Sequence, residues 1–147
     1  MLLQQRPLRL QELLKQREGR SPGGVRPSLA RAVTARQPGE SALAALRRAF
    51  TEAVAAQDPV AGFSGQEFAR MIAGSPTLTV CLRGLHDQRE HHLARALAEA
   101  TGAQPDDITV QTAAGLLGTV HRLLFQRIQA LTIAGLPNDR IADTAAT

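Results

Sequence analysis

The stretch His86-Asp87-Gln88-Arg89-Glu90-His91-His92 is the densest cluster of titratable side chains in the chain. On a helix, His86 and Glu90 share one face, and Asp87 and His91 share another. Such i, i+4 pairs can hold a metal ion. The two pairs are a quarter-turn or more apart, and neither Glu-x-x-His nor His-Glu-x-x-His occurs. A solvated helix face is the simpler reading, so no metal site and no cofactor is assigned. Arg89 falls on the wheel inside the apolar stripe of Leu85 and Leu93. A guanidinium there can pair with a carboxylate, line a cavity or anchor an anionic ligand. The favoured reading is an Arg at the stripe's edge whose head group reaches water. His121 follows Gly115-Leu116-Leu117-Gly118. It can hydrogen-bond a ligand in an apolar cavity, although a lone His on such a helix is more often structural. Cys81 sits behind Val80 with no activating base in view. No phosphate-cradling loop, dinucleotide-binding glycine pattern or Gly-x-Ser-x-Gly elbow is present. No catalytic residue is assigned, and a binding protein is expected rather than an enzyme.

These residues need helices to position them. The spacing predicts an all-α fold, an irregular helical bundle. Residues 2–18 can form a short helix with Leu10, Leu13 and Leu14 in register, and Gly19 to Gly24 reads as a linker. A helix is expected from Pro27 to about Arg36, ended by Pro38-Gly39. Ser41 is the expected N-cap of a helix over 41–57. Its Leu43, Leu46, Phe50 and Val54 form one stripe that should be buried. A short helix is expected over 66–73, with Phe68 and Ile72 on one side. The next runs from Pro76 to about Thr101, capped by Ser75 and stopped by Gly102. Its inward stripe is Leu78, Leu82, Leu85, Leu93, Ala96 and Ala100. Pro105-Asp106-Asp107 opens a long helix to about Leu131, with acids where the helix dipole favours them. Gly135-Leu136-Pro137 breaks it, and a last helix starts near Asn138. No alternating strand pattern and no internal repeat is found. Two parts result: a basic arm or short helix with linker, 1–26, and a helical domain, 27–147.

The 147 residues include four Phe and neither Trp nor Tyr, so the core must be built from Leu, Ala, Val and Ile. A single Cys excludes an intramolecular disulfide and a Cys-based zinc finger, and it fits a reducing cytoplasm. No run of about 18 apolar residues exists, so no membrane span is expected. The N-terminus lacks the apolar core of a secretory signal, and Glu12, Glu18 and few Ser argue against a transit peptide. The net charge of +4 conceals an asymmetry. Residues 1–48 hold ten Arg or Lys and three Glu, whereas the remainder holds seven Arg and ten acids. A basic segment can meet nucleic acid or an acidic surface, but a solvated arm is the simpler reading.

The segment Pro27 to Arg36, then Gln37-Pro38-Gly39-Glu40-Ser41, then Ala42 to Phe50, resembles the start of the regulatory domain of the TetR family of transcriptional regulators. There a short helix ends in an Arg-x-Pro-Gly-Glu turn before a helix reading Ala-Leu-Arg-x-Ala. Phe68 to Leu78, with its Gly-Ser-Pro-x-Leu, resembles the entry to that family's long pocket helix. Ala96 to Gly102 resembles its end, and Ile108 to Ile128 the following helix, used in dimerisation. The resemblance spans about residues 27–143. Two departures stand out. Residues 1–26 contain none of the family's helix-turn-helix signals, and the last helix is short.

The resemblance implies a ligand-sensing and dimerisation domain that lacks its DNA-binding domain. The implied partners are a small apolar or amphipathic effector and a second copy of the chain. DNA would be met only through a domain outside this chain, in the cytoplasm, with no membrane involved. The pocket residues expected are Phe50, Val54, Phe68, Met71, Leu82, Leu85, His86 and Phe125, with Arg89 and His121 as polar groups. The small-residue face of Ala114, Gly115 and Gly118, with Arg122 beside it, is the expected dimer interface. The alternatives are a helical protein-interaction module with a basic arm and, less well supported, a metal-dependent helical enzyme. If the resemblance holds, the chain alone shows only weak, salt-sensitive DNA association, because charges such as Arg6, Arg9, Lys15 and Arg17 would chiefly meet phosphates. A titration of the adjoining promoter against a scrambled duplex at two salt concentrations checks this. A promoter preference of about tenfold or more would mean that a base-reading element is present.

Overall fold

The structure is a computed structural model and describes residues 29–146; the expected helix over 2–18, the linker and the basic arm lie outside these residues. Six α-helices and no strand occur among the described residues, so the fold is an all-α helical bundle. In order they are α1 (Leu29–Thr34), α2 (Ala42–Ala55), α3 (Gln66–Ala73), α4 (Pro76–Thr101), α5 (Ile108–Ile133) and α6 (Asn138–Ala146). A 3-10 turn, Pro59–Ala61, links α2 to α3.

Local chemistry sets the ends of these helices. Between α1 and α2, Gly39 takes φ 81°, a left-handed conformation that glycine adopts without a Cβ penalty. Glu40 clamps this turn. Its carboxylate accepts from the Gln37 backbone N–H at 2.9 Å and pairs with Arg48 at 3.0 Å. Ser41 caps α2 by accepting from the Ala44 N–H, Ser75 caps α4 from Leu78, and Asp107 caps α5 from Thr109. Gly102 closes α4 at φ 68°. Each of the three N-cap side chains satisfies an N–H that the helix cannot, and the Gly102 N–H donates to the Ala98 carbonyl.

α4 and α5 are the central pair; α1 packs on α4, and α3 packs on both. The bundle has two apolar cores. The first joins Val33, Leu46, Leu93, Leu97, Val110 and Ala114. The second joins Ala53, Val54, Ala61, Phe63, Ile128 and Ile141. The main close packing of α2 is against α1, α6 and the 3-10 turn rather than α5.

That arrangement corrects the expected burial of the α2 stripe. Leu46 and Val54 are buried, but Leu43 is 63% exposed and Phe50 is half-buried. The α4 stripe is corrected likewise: Leu93 and Ala96 are buried, whereas Leu78, Leu82, Leu85 and Ala100 are only partly so. Periodicity picks the face of a helix, but how much of that face is covered depends on the neighbour.

Leu93, with 0% of its surface exposed, anchors the first core. Leu93→Ala is expected to cost ~2–5 kcal/mol. Phe50→Ala is expected to cost less than Leu93→Ala, because its ring is already partly open to solvent. Urea unfolding of the two variants checks the order.

Candidate ligand cleft

Because α2 stands off from α5, a cleft of about 460 Å³ opens between them. Leu43, Leu46, Phe50 and Val54 form its α2 wall. Leu117, Val120, His121 and Leu124 form its α5 wall, and Leu29 and Ala145 contribute from α1 and α6. Arg47 and Thr51, one turn apart on α2, are its other polar residues. The volume lies within the ~300–1,000 Å³ usual for small-ligand sites.

The cleft lies between the two cores. Phe50 is midway along α2 between Leu46 and Val54, and His121 is midway along α5 between Ala114 and Ile128. A chain of rings runs inward from there. Phe50 meets His121 edge-on at 6.1 Å between centroids, and His121 meets His86 at 6.1 Å. His86 meets Phe125 edge-on at 4.9 Å. These distances are in the range of favourable edge-to-face ring contacts.

α4 and α5 come close enough to join the two histidines because α5 is small where they cross. A Cβ built on Gly118 would lie 2.9 Å from Glu90 Oε2 and 3.4 Å from Glu90 Cβ, and one on Gly115 would lie 3.6 Å from Glu90 Oε1. Two glycines inside a helix cost about 1 kcal/mol each against alanine. Here they make room for the Glu90 side chain.

Both rings are buried, His86 with 9% and His121 with 6% of its surface exposed. Burial pushes His86 from 6.5 down to about 4, and the charges of Arg89, His121 and Arg122 push the same way. His121 also falls from 6.5 to about 4, through burial and then Arg89, against an opposing hydrogen bond with the Val60 backbone. Both are neutral imidazoles at pH 7. His86 Nε2 is buried without a hydrogen-bond partner. Neither shift has a carboxylate among its causes.

Of the residues expected to form a pocket, Phe50, Val54 and His121 line this cleft. His86 and Phe125 stand behind them in the ring chain. Arg89 is near enough to depress both histidines but does not line the cleft. Phe68, Met71, Leu82 and Leu85 do not line it either; α3 and α4 are not among the elements that pack closely on α2. Leu43, Arg47, Thr51, Leu117, Val120 and Leu124 line it and were not expected. Leu117, Leu124 and His121 follow helical spacing, so periodicity could have found that wall.

The expected dimer residues have contacts within the chain. Ala114 is buried in the first core, and Gly115 and Gly118 face Glu90 of the same chain. Arg122 is half-buried and acts on His86. The exposed apolar row of α5 is Leu116, Val120 and Leu123. The 86–92 cluster divides: Asp87, Gln88, His91 and His92 are exposed, while His86 is buried and Glu90 half-buried. No group of three or more His, Cys, Asp or Glu among the described residues is placed to hold a metal. No helix among them is long and apolar enough to cross a membrane. Comparison of the chain with protein-family models, with curated proteins and with solved structures finds no match.

The lowered histidines tie stability to pH. The unfolded chain takes up protons near 6.5 and the folded chain only near 4. The folded state is therefore favoured fully above about pH 6.5 and loses that advantage as pH falls toward 4, by roughly 3 kcal/mol for each ring at most. The urea midpoint is expected to drop between pH 7 and pH 5. His86→Leu should flatten that dependence at little cost at pH 7, because it removes a buried, unpaired nitrogen. An equal pH slope in wild type and variant would contradict this.

Proposed function

We propose that this chain is the ligand-sensing and dimerisation part of a TetR-like transcriptional regulator, acting in the cytoplasm. The observation that carries the reading is the apolar cleft between α2 and α5, with neutral His121 in its wall. A preformed apolar concavity with few polar groups suits a small apolar or amphipathic effector. A ligand there would press on Phe50 and His121, and through His86 on α4. A conformation of that ring chain with higher ligand affinity would gain population when ligand binds. Dimerisation would use the exposed row Leu116, Val120 and Leu123 with α6 beside it, in place of the small-residue face.

The same exposed row supports the second reading, a helical protein-interaction module, because an apolar helix face can receive a partner's helix. Ligand binding separates the two. N-phenyl-1-naphthylamine, an uncharged apolar dye, is expected to bind saturably with about one site per chain and to raise the melting temperature. Leu124→Trp, which fills the cleft, is expected to abolish binding while leaving helicity intact. Binding that is non-saturable, or unchanged in Leu124→Trp, would leave the interaction-module reading.

A further inference from the structure

The polar residues of the cleft are unevenly placed. His121 is buried in the wall and neutral, while Arg47 and Thr51 are exposed on α2. Arg47 and Arg48 are adjacent in sequence but differently engaged. Arg48 is held by Glu40 at 3.0 Å and Glu52 at 3.5 Å, on the side away from the cleft. Arg47 borders the cleft, and no carboxylate among the described residues pairs with it. Among the described residues, the cleft lining contains no Asp or Glu. Thr51 Oγ1 donates to the Arg47 carbonyl at 2.9 Å, which leaves its oxygen lone pairs and the guanidinium at one lip.

Beyond that lip the surface is hydrocarbon. Phe50, Leu117, Val120 and Leu124 offer no charge, and His121 is uncharged at neutral pH. A bound polar head deep in the cleft would lose water without an ionic partner, which is costly. A head at the lip keeps its water and gains a guanidinium that can meet a carboxylate with two parallel hydrogen bonds. We propose that the cleft takes a hydrocarbon-chain carboxylate, its head at Arg47 and its chain between Phe50 on α2 and Leu117 and Leu124 on α5. The proposal rests on the cleft being a ligand site and adds the ligand's charge, polarity and direction of entry.

The test uses the full chain and three ten-carbon probes: decanoate, 1-decanol and decyltrimethylammonium. Competition against the naphthylamine dye at low salt reads each affinity. Decanoate is expected to bind roughly two- to fivefold more tightly than 1-decanol, the range for an exposed ion pair, and the cation more weakly than either. The preference for decanoate should shrink in high salt. Arg47→Gln should remove it, bringing decanoate to no more than the affinity of 1-decanol for the same variant, and Arg47→Lys should retain part of it. Arg47 is exposed and outside both cores, so an unchanged melting temperature is expected for Arg47→Gln. Equal binding of decanoate and 1-decanol, or an Arg47→Gln variant that keeps the preference, would overturn the proposed ligand class and leave the cleft reading standing. Failure of all three probes and the dye to bind would overturn the cleft reading as well.

Discussion

The close approach of α4 and α5 is the constraint on which the other features depend. The crossing is narrow because Gly115 and Gly118 present no side chain where Glu90 lies against α5. Substituting a larger residue at Gly118 would push Glu90 aside or separate the helices, and His86 and His121 would part with them. The second half of α4 is Ala-rich and brings Ala94, Ala96 and Ala98 into the first core, which residues of α1 and α5 share. A chain with so few aromatics gains its burial this way, by bringing backbones together rather than by filling wide spaces.

One consequence is that the apolar interior is divided. Each end of α5 has its own core. Midway along α5 the partners are rings, and α2 does not close the gap. Gly62 helps hold this geometry at the lower core. Its φ of 111° is one that other residues rarely adopt, and a Cβ there would lie 2.7 Å from the Phe125 carbonyl oxygen. The turn after α2 is thus pressed against the backbone of α5 just below His121. α2 is fixed to α5 at that turn, while its first half reaches toward α1. The cleft is the space left between these two attachments.

The charges follow from the same division. Arg89 and Arg122 stand close enough to the buried histidines to disfavour their protonation. Two neutral imidazoles then cost less to bury than two charged ones would, and they mark the boundary between the cores without requiring carboxylates inside. Arg48 is neutralised by its acidic neighbours on the outer face of α2. Arg47, a residue earlier, is turned by about 100° on the helix and meets the cleft instead.

Much of the architecture was legible in the sequence. Ser41, Ser75 and Gly102 marked helix ends correctly, because capping is local chemistry between a side chain or backbone and its own first or last turn. The all-α class and the six helices of the described region followed from apolar spacing and from the breakers Pro38-Gly39, Gly74 and Gly135. The candidate cleft was only partly legible. The stripe containing Phe50 and Val54 was found, and His121 was singled out, but Phe68, Met71, Leu82 and Leu85 were expected in the same pocket. Ala114, Gly115 and Gly118 were correctly read as allowing a close helix contact, yet the helix they admit belongs to the same chain. Helical period states which residues share a face. It contains no information about which neighbour that face meets or how closely, and those choices depend on crossing positions fixed by contacts far apart in sequence. The sequence by itself determined the helices, their ends and their apolar faces. Only the tertiary structure decided that α2 and α5 stand apart, that two histidines meet between the cores, and that Arg47 rather than Arg89 borders the opening.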